Sequence, residues 1–216
     1  MNKLIFISLP LMFVLILLFP NNAQAQYPEA PEIWSVPEEL TTITENVSGA
    51  DAPSISFDGK KLYFGGIWVT EKTDTGWSIP ERLDYLSQHL GRNPCISPNE
   101  KRIFFNWFVG GWDEYYSDWD SAANDWGTAV NCGPNVNIQE EGRSGCTLPD
   151  DTTLIFLSTN VAYISHWDST TQSWGPSHRW PTEDLYFGSD WGIYVSPTFK
   201  KVYYSLGRAD TTIGGN

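Results

Sequence analysis

Basic residues are scarce in this chain. Against 26 Asp and Glu stand 13 Lys and Arg, a net charge of −13, and no basic run exceeds two residues. Nucleic-acid binding rests on phosphate neutralisation, so this balance points away from it. Cysteine is also sparse. The three residues Cys95, Cys132 and Cys146 include no C-x-x-C pair, so neither a zinc site nor a disulfide-built scaffold is indicated. The three histidines, His89, His166 and His178, form no H-E-x-x-H signature, and no G-x-S-x-G elbow occurs. The segment from Asp118 to Asp125 is rich in oxygen ligands, but its spacing is not that of an EF-hand loop. Asp and Asn at turns account for it. No metal and no cofactor is expected.

What the chain does have is aromatic: 11 Trp, 10 Tyr and 11 Phe. With so few cysteines, stability has to come from an apolar core, and these side chains supply it.

The first residues are an address. Lys3 is the only charge before residue 26, an apolar run extends from Leu4 to Phe19, and Ala23-Gln24-Ala25 offers a small-x-small cleavage site. This order marks residues 1–25 as a secretory signal peptide, with Gln26 as the new N-terminus. The apolar run has 16 residues and contains Pro10, short of a spanning helix. The expected location is periplasmic or extracellular, with no membrane span after cleavage.

The mature part, 26–216, repeats. One unit reads Ser56-Phe57-Asp58-Gly59-Lys60-Lys61-Leu62-Tyr63-Phe64. Its equivalents begin at Ser97, Leu148 and Ser196, offset by 41, 51 and 48 residues. In each, turn formers precede a run of β-formers, the grammar of a hairpin. A second motif interleaves with the first. Trp34-Ser35-Val36-Pro37-Glu38-Glu39-Leu40 matches Trp77-Ser78-Ile79-Pro80-Glu81-Arg82-Leu83, and Trp126-Gly127 and Trp174-Gly175 continue it. Proline cannot donate to a ladder, so this strand belongs at an edge. A third strand lies between: Tyr115 to Ser121 matches Tyr163 to Ser169.

Four strands repeating every 40 to 50 residues describe a propeller blade. The predicted fold is all-β: a β-propeller of about four four-stranded blades, around 50–85, 91–134, 142–182 and 191–216, the last completed by the 33–41 strand. The pattern S-x-D-G-K-x-L-Y-F followed by G-W-S-x-P-x-x-L resembles the WD-repeat-like repeats of TolB-type bacterial propellers. That resemblance implies about six blades, so this chain is expected either to be part of a larger propeller or to close a small ring of its own.

Repeat offsets also align candidate sites. Asp51, Arg92, Arg143 and Trp191 fall just before the four inner strands, at one mouth of the expected channel. Such a set suits an anionic or sugar-like ligand, and it suits structural ion pairs of Asp51 and Glu141 with the arginines equally well. Cys95 and Cys146 occupy matching positions in adjacent blades. They are disulfide candidates, Cys132 is an alternative partner for Cys146, and buried free thiols are the third option. Two functional readings follow. One is a non-enzymatic propeller that binds or scaffolds an envelope or extracellular protein, peptide or glycan. The other is a propeller carbohydrate-active enzyme, a glycoside hydrolase or lyase, with carboxylates such as Asp51 and Asp190 at the channel mouth.

Overall fold

The repeated turn is built from side-chain hydrogen bonds that the sequence dictates. In the computed structural model, Ser56 Oγ donates to Asp58 Oδ1 at 2.7 Å and accepts the Lys61 N–H at 2.9 Å. Asp58 Oδ1 accepts the Lys60 N–H at 2.9 Å, and Gly59 takes φ +70°. The second copy repeats this. Ser97 Oγ donates to Asn99 Oδ1 at 2.8 Å and accepts from Arg102 N–H at 3.0 Å, and Glu100 takes the left-handed position at φ +59°. In the third copy Leu148 replaces the serine, and the hydroxyl comes from the opposite strand. Thr153 Oγ1 donates to Asp150 Oδ2 at 2.7 Å, and the N–H groups of Thr152 and Thr153 reach Asp150 Oδ1. A different residue thus satisfies the same turn.

Residues 38–138, 142–148, 150–158, 161–180, 193–195 and 202–204 are described; for 142–144, 193–195 and 202–204 the description is of backbone only. The signal segment and Trp34 lie outside them. Of the expected 33–41 strand, residues 33–37 lie outside as well, 38–40 are not in a strand, and Thr41 opens a helical turn, Thr41–Thr44.

Each hairpin grows into an antiparallel sheet. Blade 1 holds β1 (Ser54–Ile55), β2 (Lys61–Phe64), β3 (Trp68–Thr73), β4 (Gly76–Trp77) and β5 (Glu81–Arg82). Blade 2 holds β6 (Arg92–Ile96), β7 (Arg102–Phe108), β8 (Trp112–Asp120), β9 (Asp125–Trp126) and β10 (Val130–Asn131). Blade 3 holds β11 (Gly142–Thr147), β12 (Thr153–Ser158), β13 (Val161–Asp168), β14 (Ser173–Trp174) and β15 (His178–Arg179). A further hairpin pairs β16 (Ile193–Val195) with β17 (Val202–Tyr204).

The expected single outer strand is divided. β4 and β5 both pair with β3, β9 and β10 with β8, and β14 and β15 with β13. Pro80 and Pro176, which lack an N–H, stand in two of the gaps. A buried hydroxyl closes the gap in each blade. Thr70 Oγ1 donates to Ser78 O at 2.6 Å, Ser117 Oγ to Gly127 O at 2.7 Å, and Ser165 Oγ to Gly175 O at 2.7 Å.

The core lies between blades. β7 reads Arg-Ile-Phe-Phe-Asn-Trp-Phe because both of its faces are covered, unlike a half-exposed strand. Ile103, Phe105 and Trp107 pack toward Tyr63 and Ile67 of blade 1, whereas Phe104 packs toward Leu154, Phe156 and Trp174 of blade 3. The tryptophans of the outer motif act here: Trp126 meets Tyr63 edge-on at 6.5 Å, and Trp174 lies 6.0 Å from Phe104. Arg102 lies between Tyr116 and Trp167, its guanidinium 4.1 and 4.7 Å from their centroids, and forms a two-bond pair with Asp118. Covered sheets stacked through aromatic faces, with inner strands side by side, are propeller blades.

Candidate functional site

One end of the blades gathers the β2–β3 and β7–β8 hairpins and the starts of the inner strands. The inner strands do not enter this rim in regular register. Ala52 (φ +46°) and Asn93 (φ +53°), equivalent by the repeat offset, both take the left-handed conformation. Pairing shifts between Arg92 and Cys95, and again between Arg143 and Gly145. Bulges of this kind re-aim side chains at sheet ends, and non-glycine residues in this conformation cluster at ligand sites.

Asp51 is exposed, and its carbonyl accepts the Gly65 N–H at 2.7 Å. A Cβ on Gly65 would stand 1.8 Å from Asp51 Oδ1, so the glycine is what lets the carboxylate lie there. Arg92 is half-buried, its guanidinium stacked 3.4 Å from the Trp112 ring centroid. Trp112 in turn contacts Phe108, centroids 5.3 Å apart, across the mouth of the β7–β8 hairpin. Phe108 is 45% exposed, and at the same end of the blades Val109, next to it in the hairpin, and Leu90, two residues before Arg92, are 53% and 70% exposed. His89 lies 5.0 Å from the Trp107 ring, and the Trp107 indole N–H donates to Leu86 O at 2.7 Å.

Beneath the rim runs a buried polar chain that sequence reading did not single out. Asn93 Nδ2 donates to Asn106 Oδ1 at 3.1 Å, Asn106 Nδ2 donates to Glu114 Oε2, and Gly145 N–H of blade 3 donates to Glu114 Oε1 at 2.9 Å. Asn137 clasps the Glu114 backbone from the connector, accepting its N–H at 2.8 Å and donating to its carbonyl at 3.1 Å. Glu114 is 1% exposed, and burial pushes its carboxyl up to about 7 in spite of the hydrogen bonds from Gly145 and Asn106. The available signal was an acidic residue sharing strand parity with the buried Tyr116.

The aligned rim residues are therefore placed unequally. Arg92 meets Trp112, and Asp51 lies at Gly65. Arg143 lies on β11 opposite Leu157, with its side chain outside the description, and Trp191 and Asp190 lie outside the described residues. The three cysteines are all buried and unbonded thiols in a single cluster. Among the described residues, no group of three His, Cys, Asp or Glu is arranged to hold a metal ion, and no helix is long and apolar enough to cross a membrane.

No family model and no curated protein sequence matches the chain. Solved structures do. TolB from Acinetobacter baumannii superposes with a TM-score of 0.51 at 17% identity, over 76% of this chain and 39% of that one. The β-propeller domain of the Trilobed protease from Pyrococcus furiosus matches with a TM-score of 0.36 at 12% identity, over 62% of this chain and 43% of that one. The likeness to TolB is one of fold, and the chain spans well under half of its length.

Proposed function

We propose that this chain is the binding part of an exported propeller, non-enzymatic, and that it recognises a protein or peptide partner in the periplasm or at the cell surface. The observation that carries the reading is the rim where Leu90, Phe108 and Val109 are exposed and Phe108 contacts Trp112, on which Arg92 stacks. Exposed apolar side chains beside a Phe–Trp ring pair and a stacked arginine have the composition of a protein-binding hot spot. The signal-like first 25 residues and the TolB-like fold support an envelope setting.

Phe108→Ser tests the reading, since Phe108 is already part-exposed and its loss spares the core. Wild-type and variant protein are each used to isolate partners from an envelope fraction. A protein retained by the wild type and lost from the variant is the expected result. Equal retention by both, or retention of glycans alone on a glycan array, contradicts it.

A further inference from the structure

We infer that Cys95 and Cys146 are a disulfide-forming pair that ties blade 2 to blade 3, with Cys132 left as a free thiol. The two residues sit at the same level of neighbouring inner strands, Cys95 opposite Phe104 and Cys146 opposite Ile155. Those strands, β6 and β11, bring Cα atoms within 8 Å of each other. One blade earlier, the equivalent residue shows what a side chain does at this level: Ser54 Oγ accepts the Ile96 N–H at 3.1 Å, spanning from one inner strand to the next. Cys95 and Cys146 belong to the same buried cluster, and the neighbouring Cys146 is among the causes that push the Cys95 thiol up. Both lie buried among Phe104, Leu154 and Phe156.

Cys132 shares the cluster but enters it from the connector, anchored by its N–H to Glu114 O at 3.0 Å. Its charged neighbours are Glu114, Arg102 and Asp113.

Timing follows from burial. The neighbouring Cys146 thiol and the loss of water push the Cys95 thiol up, so the finished fold holds little thiolate. The bridge therefore forms before blades 2 and 3 close. One cysteine thiolate attacks a small-molecule or protein disulfide, giving a mixed disulfide and releasing one thiol. The second thiolate displaces the other half, so the Cys95–Cys146 bond forms while the donor takes up both electrons and both protons as two thiols. The oxidising setting belongs to the export reading above. The test uses a defined redox buffer, so its outcome is independent of where the protein resides.

The full chain is unfolded in reductant, refolded in glutathione buffer rich in the oxidised form, then denatured, alkylated and weighed intact, with a non-reducing peptide map. The expected product has lost two hydrogens, carries a single alkyl group on Cys132, and yields a linked Cys95–Cys146 peptide. Cys132→Ser keeps the linkage, and Cys146→Ser abolishes it. Three alkylated cysteines in the refolded wild type, or a linkage through Cys132, overturns the inference.

Discussion

Replacing Glu114 by Gln should change how the stability of this protein depends on pH. Glu114 is 1% exposed, and its acid form is favoured up to about 7 rather than the ordinary 4.5. The folded state therefore binds a proton more tightly than the unfolded chain. The stabilisation is complete below about pH 4.5, shrinks as pH rises, and is gone above about 7. At about 1.4 kcal/mol per pH unit, this carboxyl removes about 3 kcal/mol between those limits. Glutamine has nearly the same shape and does not ionise. Its amide oxygen still accepts the Gly145 N–H, but Asn106 Nδ2 then faces an amide nitrogen or its chain to Asn93 must turn over. That mismatch costs about 1–3 kcal/mol at every pH. The variant is thus less stable than wild type near pH 5 and draws level with it or passes it near pH 8. Urea unfolding followed by tryptophan fluorescence, at four pH values from 5 to 8, measures both slopes. Parallel curves for wild type and variant would refute the burial argument and place water beside Glu114.

Three other substitutions probe the blade grammar. Glu100→Gly relieves a left-handed residue at φ +59° whose carboxylate makes only a long 3.4 Å contact with the Asp58 N–H, and should raise stability by about 0.5–1 kcal/mol in urea. Gly91→Ala sets a Cβ 2.1 Å from Leu86 O, a backbone atom with no room to yield, and a loss of about 1–3 kcal/mol is expected in thermal unfolding. Ser165→Ala leaves Gly175 O without its 2.7 Å donor inside blade 3, and calorimetry should show a loss of about 1–3 kcal/mol.

The repeat was legible because each blade must solve the same local problems. The Ser56–Asp58–Gly59 turn fixes the hairpin through short-range bonds, and Trp126 and Trp174 recur because each packs against the blade before it. What could not be read is what depends on two strands meeting. Leu148 stands where the first two copies carry Ser, and it is Thr153, five residues on, that supplies the missing hydroxyl. The outer strand looked continuous, yet it divides around Pro80 and Pro176 and is held by Thr70 and Ser165 from the neighbouring strand. Offsets aligned Arg92 with Asp51 and Arg143, but the residue Arg92 actually meets, Trp112, lies 20 positions along on another strand. The surroundings of Glu114 were hidden for the same reason: strand parity hinted that it is buried, but its donors, Asn106 and Gly145, come from a neighbouring strand and a neighbouring blade.

The central claim is that the rim around Arg92 and Trp112 is the face that meets a partner. A photo-crosslinking amino acid placed at Val109, 53% exposed on the β7–β8 hairpin, can be compared in cells with the same group at Ile79, 72% exposed on the outer edge of blade 1. The account expects a defined covalent adduct with an envelope protein from position 109, none from position 79, and loss of the adduct when Phe108→Ser is added. Adducts of equal yield from both positions, or none from position 109, would contradict it.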